Sequence, residues 1–139
     1  ITLHYPAAER IGKPIVLEEF GYPRDGDTSF EGEAEKFWDG VSLSKDSSTA
    51  ARDAYYSYVF GRLISARENG EPLVGVNFWG WGGHATQSQV NEFWRPGDDY
   101  CGDPAQEPQG LFSVYATDES TVELIRQTNE TLKRTTKTK

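Results

Sequence analysis

An apolar run that stops in two carboxylates, Ile15-Val16-Leu17-Glu18-Glu19-Phe20-Gly21, constrains this chain more than any other stretch. It follows a Gly12-Lys13-Pro14 break. A short aliphatic run bounded in this way reads as a parallel strand over residues 13–21, buried on both faces. A carboxylate at the end of such a strand is unfavourable unless it is paired, hydrogen-bonded or protonated. The C-terminal mouth of an α/β barrel, where catalytic residues gather, is the usual setting that offsets that penalty.

At 139 residues the chain suits one domain with a modest core, and no linker divides residues 1–139 into two. Lys and Arg number 14 against 22 Asp and Glu, and the resulting net charge of −8 argues against nucleic acid or an anionic membrane surface as partner. No apolar run approaches the roughly 20 residues that span a bilayer. No basic flank followed by an apolar core opens the chain, so no signal peptide is read in it. The sequence starts at Ile1 and holds no methionine, so it is expected to be a piece, a processed product or an excised domain, and the missing leader does not count against secretion. Cys101 is the sole cysteine, which rules out an internal disulfide and a cysteine-based metal site. Many of the 4 Trp, 7 Tyr and 7 Phe sit among Gly, Asp and Asn. Core packing is the default for an aromatic. Loop aromatics beside acids, however, are what a carbohydrate site uses, because sugar rings present C–H faces to stack on.

Taken in order, Leu3, Ala7, Ala8 and Ile11 have helical spacing, with Gly12 as the C′ residue and Pro6 tolerated in the first turn. A strand ending at Tyr5 would leave too short a crossover to the next parallel strand, so His4 is expected on a helix and not as a ligand or base. Residues 22–48 form a long polar loop containing Phe37-Trp38. Ser47-Ser48-Thr49 offers N-caps for a helix of about twenty residues. Ala51, Tyr55, Val59, Leu63 and Ala66 form its stripe, with Tyr58 and Arg62 beside them, and Gly70 stops it. Residues 73–79 read as a second buried strand, with a glycine-rich exit at Gly80-Trp81-Gly82-Gly83. A loop over residues 84–110 follows. The last element is a helix with Ser120 and Glu123 as a capping box and a weak stripe of Val122, Ile125, Asn129 and Leu132. Asn129-Glu130-Thr131 matches a glycosylation sequon but falls in mid-helix.

Helix, strand, loop, helix, strand, loop, helix is an α/β order. Two strands cannot close a barrel, and a complete one takes about 250 residues. Strict alternation puts Ile15, Leu17 and Glu19 on one face, with Val16, Glu18 and Phe20 on the other. One carboxylate then points into the barrel and the other towards the helix layer or rim.

The stretch Gly12-Lys13-Pro14-Ile15-Val16-Leu17-Glu18-Glu19-Phe20-Gly21 resembles the seventh-strand motif of glycoside hydrolase family 5. Val76-Asn77-Phe78-Trp79-Gly80-Trp81-Gly82-Gly83 is similar to that family's eighth-strand ending. With Pro96-Gly97-Asp98-Asp99-Tyr100 and Pro108-Gln109-Gly110-Leu111-Phe112-Ser113-Val114-Tyr115, these look most like the endo-β-1,4-mannanase branch. The resemblance implies the C-terminal part of a (β/α)8 TIM barrel: helix 6, strand 7, helix 7, strand 8 and helix 8. It implies a retaining hydrolase of mannan-type polysaccharide with Glu19 as nucleophile and Trp79, or less directly Trp81, as the floor of the sugar subsite. Trp94 and His84 are further candidates to line the cleft, though His84 reads equally as an ordinary loop histidine. No cofactor is implied. Secretion, a periplasmic location or the cell surface would suit such an enzyme.

The partner acid of that family comes from a fourth-strand Asn-Glu. Asn91-Glu92 falls in a loop and Asn129-Glu130 in a helix, and Glu18 faces away from Glu19 on an alternating strand. The acid/base is therefore expected outside this chain, and the chain by itself is expected to be inactive. An incomplete barrel exposes its inner face and favours self-association. The alternatives are a β-1,4-glucanase of the same family, a non-catalytic carbohydrate-binding piece, or a structural fragment with Glu18 and Glu19 in rim salt bridges. Asp98, Asp99 and Asp103 fit no calcium-loop spacing. They serve equally to cap turns or to bind sugar hydroxyls, with Arg95 as an ion-pair partner.

Overall fold

The structure is a computed structural model that describes residues 2–25, 44–87 and 93–136. Phe37-Trp38 and Asn91-Glu92 lie outside those residues. A 3-10 turn, Thr2–His4, leads into helix α1, Tyr5–Ile11, which has Pro6 in its first turn and ends on Gly12 at φ 62°. Strand β1, Ile15–Phe20, is followed by helix α2, Ala50–Asn69, and strand β2, Leu73–Phe78. Two short strands, β3 (Trp81–Gly83) and β4 (Val114–Tyr115), precede helix α3, Glu119–Thr136.

β1 and β2 are parallel neighbours, with Ile15 opposite Leu73 and Phe20 opposite Phe78. Helices cover one face only. Ile15 and Leu17 pack towards α2, whereas Val16 and Val74 are 45% and 49% exposed. The expected burial of the strand on both faces is therefore corrected: among the described residues nothing covers the second face.

Strict alternation along β1 is corrected as well. From Leu17 opposite Val76 to Phe20 opposite Phe78, β1 advances three residues while β2 advances two. The extra residue is a bulge, which re-aims the side chains beyond it. Alternation would have put Glu19 on the helix side with Ile15 and Leu17. The bulge gives that place to Phe20, whose ring lies 4.9 Å from Tyr56 and 5.8 Å from Phe60. Glu18 and Glu19 are both left exposed.

α2 buries Ala51, Arg52, Tyr56, Val59, Phe60, Leu63 and Ala66. The expected stripe of Ala51, Val59, Leu63 and Ala66 is buried and Tyr55 packs against it. Its flank is formed by Arg52, Tyr56 and Phe60, whereas Tyr58 is 62% exposed and Arg62 is exposed. Leu124, Ile125 and Leu132 of α3 close over the same core. α1 contributes little: Leu3 and Ile11 of its expected stripe are 92% and 66% exposed, and Ala8 is its buried residue.

The expected capping box at the start of α3 is replaced by one tertiary contact and one pair within the helix. Ser120 Oγ donates to Asp53 Oδ2 at 2.6 Å, and Glu123 is held by Arg126 at 2.5 Å, so the two do not form a capping box. Asp118, just before α3, instead anchors a buried ion-pair cluster. Its Oδ1 accepts from Arg24 Nη2 at 2.8 Å, and its Oδ2 accepts from Arg52 Nη2 at 2.6 Å and from the Tyr115 N–H at 2.8 Å. Arg52 Nη1 also donates to the Ser113 carbonyl at 2.6 Å. One carboxylate thus joins the segment after β1, the start of α2 and the β4–α3 turn.

Candidate active site

Because β1 and β2 are parallel, their C-terminal ends open at the same end of the sheet. The ladder continues one step beyond the strands: Trp79 N–H donates to the Phe20 carbonyl at 2.6 Å. Glu19 thus precedes the last residue of β1, and Trp79 follows the last residue of β2, at the same end of the sheet. Gly21 is where the two exits touch. A Cβ on Gly21 would lie 2.8 Å from the Trp79 carbonyl oxygen and 3.0 Å from the Phe112 ring. Glycine is needed there because the backbones approach so closely. Gly21→Ala is expected to lower unfolding free energy by about 1–3 kcal/mol, the usual range for forced overpacking. Urea titration of wild type and variant measures it.

Trp79 is half-buried, and its carbonyl also accepts from Tyr56 Oη at 3.4 Å. The Trp79–Gly80 peptide is cis. Beyond it the chain forms a ledge. Gly80 N–H donates to the Phe112 carbonyl at 3.2 Å, Val114 N–H donates to the Gly80 carbonyl at 2.8 Å, and β3 pairs with β4. At Gly82 a Cβ would lie 2.8 Å from the Cys101 carbonyl oxygen, so residues 101–102 rest directly on the ledge. Trp81 is 55% exposed upon it. The glycine-rich exit read from the sequence is thus a short strand, which two or three residues could not announce.

Glu19, Trp79 and Trp81 are brought to one end of the sheet. His84 is exposed in the turn after β3, and no described contact ties it to Glu19. Trp94 is held by its own local turn: Nε1 donates to the Asp98 carbonyl at 2.9 Å, and Arg95 pairs with Asp98 at 3.4 Å. Nothing described joins Trp94 to Trp79. The Asp98, Asp99 and Asp103 carboxylates do not converge. Asp99 Oδ2 accepts from Thr86 N–H at 2.8 Å, while Asp103 is fully buried in a network of its own. No group of three metal-ligating side chains occurs among the described residues. Among the described residues no ion pair involves Glu18 or Glu19. Nothing in the sequence signals the Arg52–Asp118 pair, because a charge that is buried through a distant partner carries no local signal. Asp103, read there as a turn cap or sugar contact, does accept from the Gly110 and Phe112 amides.

Two parallel strands with helices on one face, and with Glu19 and Trp79 at their C-terminal ends, are consistent with part of an α/β barrel. The pattern described as "GH family 5 beta-mannosidase-like" matches residues 1–137, and the chain belongs to glycoside hydrolase family 5. No curated protein matches its sequence. Its structure is similar to a family 5 mannosidase from Rhizomucor miehei, with a TM-score of 0.72 and 32% identity over 99% of this chain and 31% of that one. A mutant of that enzyme is similar at TM-score 0.71 and 31% identity, covering 98% of this chain and 30% of the other. A further mutant, in complex with mannosyl-fructose, gives 0.68 and 31% over 96% and 30%. The chain thus spans under a third of the length of the solved enzyme it matches.

Proposed function

We propose that this chain forms the C-terminal part of a retaining, endo-acting glycoside hydrolase that cleaves β-1,4-mannosidic bonds in mannan-type polysaccharides. The observation that carries this reading is Glu19, exposed next to the end of β1, whose last residue, Phe20, accepts a hydrogen bond from Trp79 N–H. In a double displacement the Glu19 carboxylate attacks the anomeric carbon while an acid about 5–5.5 Å away protonates the departing glycosidic oxygen. That acid, now a base, takes a proton from the water that releases the sugar and restores Glu19. Trp79 gives the sugar an apolar face to rest on, and Trp81 extends that surface along the ledge. Only the resemblance to the family's loops supports a place for His84 and Trp94 on the outer wall of the cleft.

Glu130 cannot be the acid, because it lies on α3 and is paired with Arg126. The acid/base therefore comes from elsewhere in the working enzyme, and the 139-residue chain is expected to release no oligosaccharide from mannan. Steady release that is lost in Glu19→Gln would contradict this. The family match and the mannosyl-fructose bound to the Rhizomucor miehei enzyme favour mannosides over glucans. They also favour a second reading, exo-attack on small mannosides. Digestion of mannopentaose by the complete enzyme decides: mannobiose and mannotriose as first products support endo-attack, and mannose alone supports the second reading. A polymeric substrate places the enzyme outside the cell or at its surface.

A further inference from the structure

Asp103 is fully buried, and the hydrogen bonds around it do not balance with a carboxylate. Its Oδ1 accepts from Phe112 N–H at 2.9 Å, and its Oδ2 accepts from Gly110 N–H at 2.8 Å. Oδ2 also lies 2.6 Å from Ser113 Oγ, which in turn lies 2.6 Å from the Cys101 carbonyl oxygen. A carbonyl only accepts, and a serine hydroxyl carries one proton. Two short O···O contacts in series need two protons. Serine supplies the one that goes to Cys101, so the other has to come from Asp103. We infer that the Asp103 carboxyl is held as a neutral acid in the folded protein, and that its proton locks residues 101–113 against the Trp79–Trp81 ledge.

The locked segment reaches both sides of the site. Gln109 ties it internally, accepting from Cys101 N–H at 3.1 Å and donating to the Asp103 carbonyl at 2.8 Å. The Phe112 carbonyl holds Gly80, and its ring rests against Gly21. Asp103 is thereby a positioning residue for the two strand ends that carry Glu19 and Trp79. This consequence for the site rests on the hydrolase reading, whereas the protonation itself does not.

Burial favours the neutral acid, whereas the hydrogen bonds from Ser113 and from the Gly110, Leu111 and Phe112 amides favour the carboxylate. Burial is the largest influence on Asp103 and raises its pKa. The Cys101 thiol, the Tyr115 phenol on β4 and the Tyr56 phenol on α2 are all pushed upward by burial and stay uncharged. Asp98, Asp99 and Asp103 add to the upward push on the Cys101 thiol. Arg52 reaches the Ser113 carbonyl, but its charge is committed to Asp118. With the folded pKa above the unfolded value of about 3.9, the stabilisation is complete below that pH. It is lost as pH rises through the folded value.

Carbon NMR of the chain labelled at its Asp carboxyls tests this. At about pH 5, where exposed aspartates of pKa about 3.9 are ionised, the Asp103 resonance is expected to remain at its protonated position. Protection of the Gly110 and Phe112 amides, corrected for intrinsic exchange, should fall by up to about tenfold per pH unit above pH 3.9 and then level off. Asp103→Asn, neutral and able to donate to Ser113, should hold that protection constant. An Asp103 carboxyl that titrates with the exposed aspartates overturns the inference, whether or not the variant folds. A protonated Asp103 in an enzyme that leaves every mannoside intact upholds it and sinks the hydrolase reading instead.

Discussion

Asp118→Ala is expected to lower the unfolding free energy by about 3–5 kcal/mol, the range for deleting one partner of a buried ion pair. Arg24 and Arg52 would then be left buried, at side-chain exposures of 3% and 1%, without the carboxylate they share. Among the described residues Arg24 Nη1 and Arg52 Nε already lack a hydrogen-bond partner. Against a typical total of about 5–15 kcal/mol, such a loss would leave much of the chain unfolded. Urea denaturation followed by tryptophan fluorescence measures it. Asp118→Asn, which keeps an acceptor but removes the charge, should fall between wild type and alanine. A change under about 1 kcal/mol, the scale of a surface pair, would mean that the cluster is solvated.

Glu19→Gln is expected to remove nearly all activity from the complete enzyme, with kcat falling on the order of 10⁴-fold or more, the scale seen when a hydrolase loses its nucleophile. Glutamine keeps the size of the side chain but cannot form a glycosyl ester. Because Glu19 is exposed and makes no ion pair among the described residues, the variant should unfold at the same urea concentration as wild type. Equal stability with lost kcat separates a chemical role from a structural one. Glu18→Gln is the natural control and should retain activity.

The sequence displayed its elements wherever the signal was local. Gly12 and Gly70 mark both helix ends, and each adopts the left-handed conformation that such an end requires. The aliphatic runs before Glu18 and after Pro72 became β1 and β2 as expected. What could not be read depended on partners far along the chain. The bulge that frees Glu19 from the helix layer exists only in the pairing of β1 with β2, so alternation read from one strand put Phe20 on the wrong side. Ser120 and Glu123 have the spacing of a capping box, but the distant Asp53 takes Ser120, and Glu123 turns to Arg126 on its own helix. Arg52 falls at an ordinary helix-surface position until Asp118, beyond β4, draws it inward. The acid and tryptophan of the candidate site were legible from their strand-end motifs. The network of Asp103, Gln109 and Ser113 beneath them was not.

The account stands on Glu19 as the nucleophile, and trapping the covalent intermediate tests that most directly. A 2-deoxy-2-fluoro-β-mannosyl fluoride forms the ester with the nucleophile quickly and releases it slowly, because fluorine destabilises the oxocarbenium-like transition state of both steps. Peptide mass spectrometry of the inactivated enzyme should then find one fluoromannosyl group, on the peptide containing Glu19. A label on any other carboxylate, or turnover that yields the inverted sugar and never a covalent adduct, would contradict it.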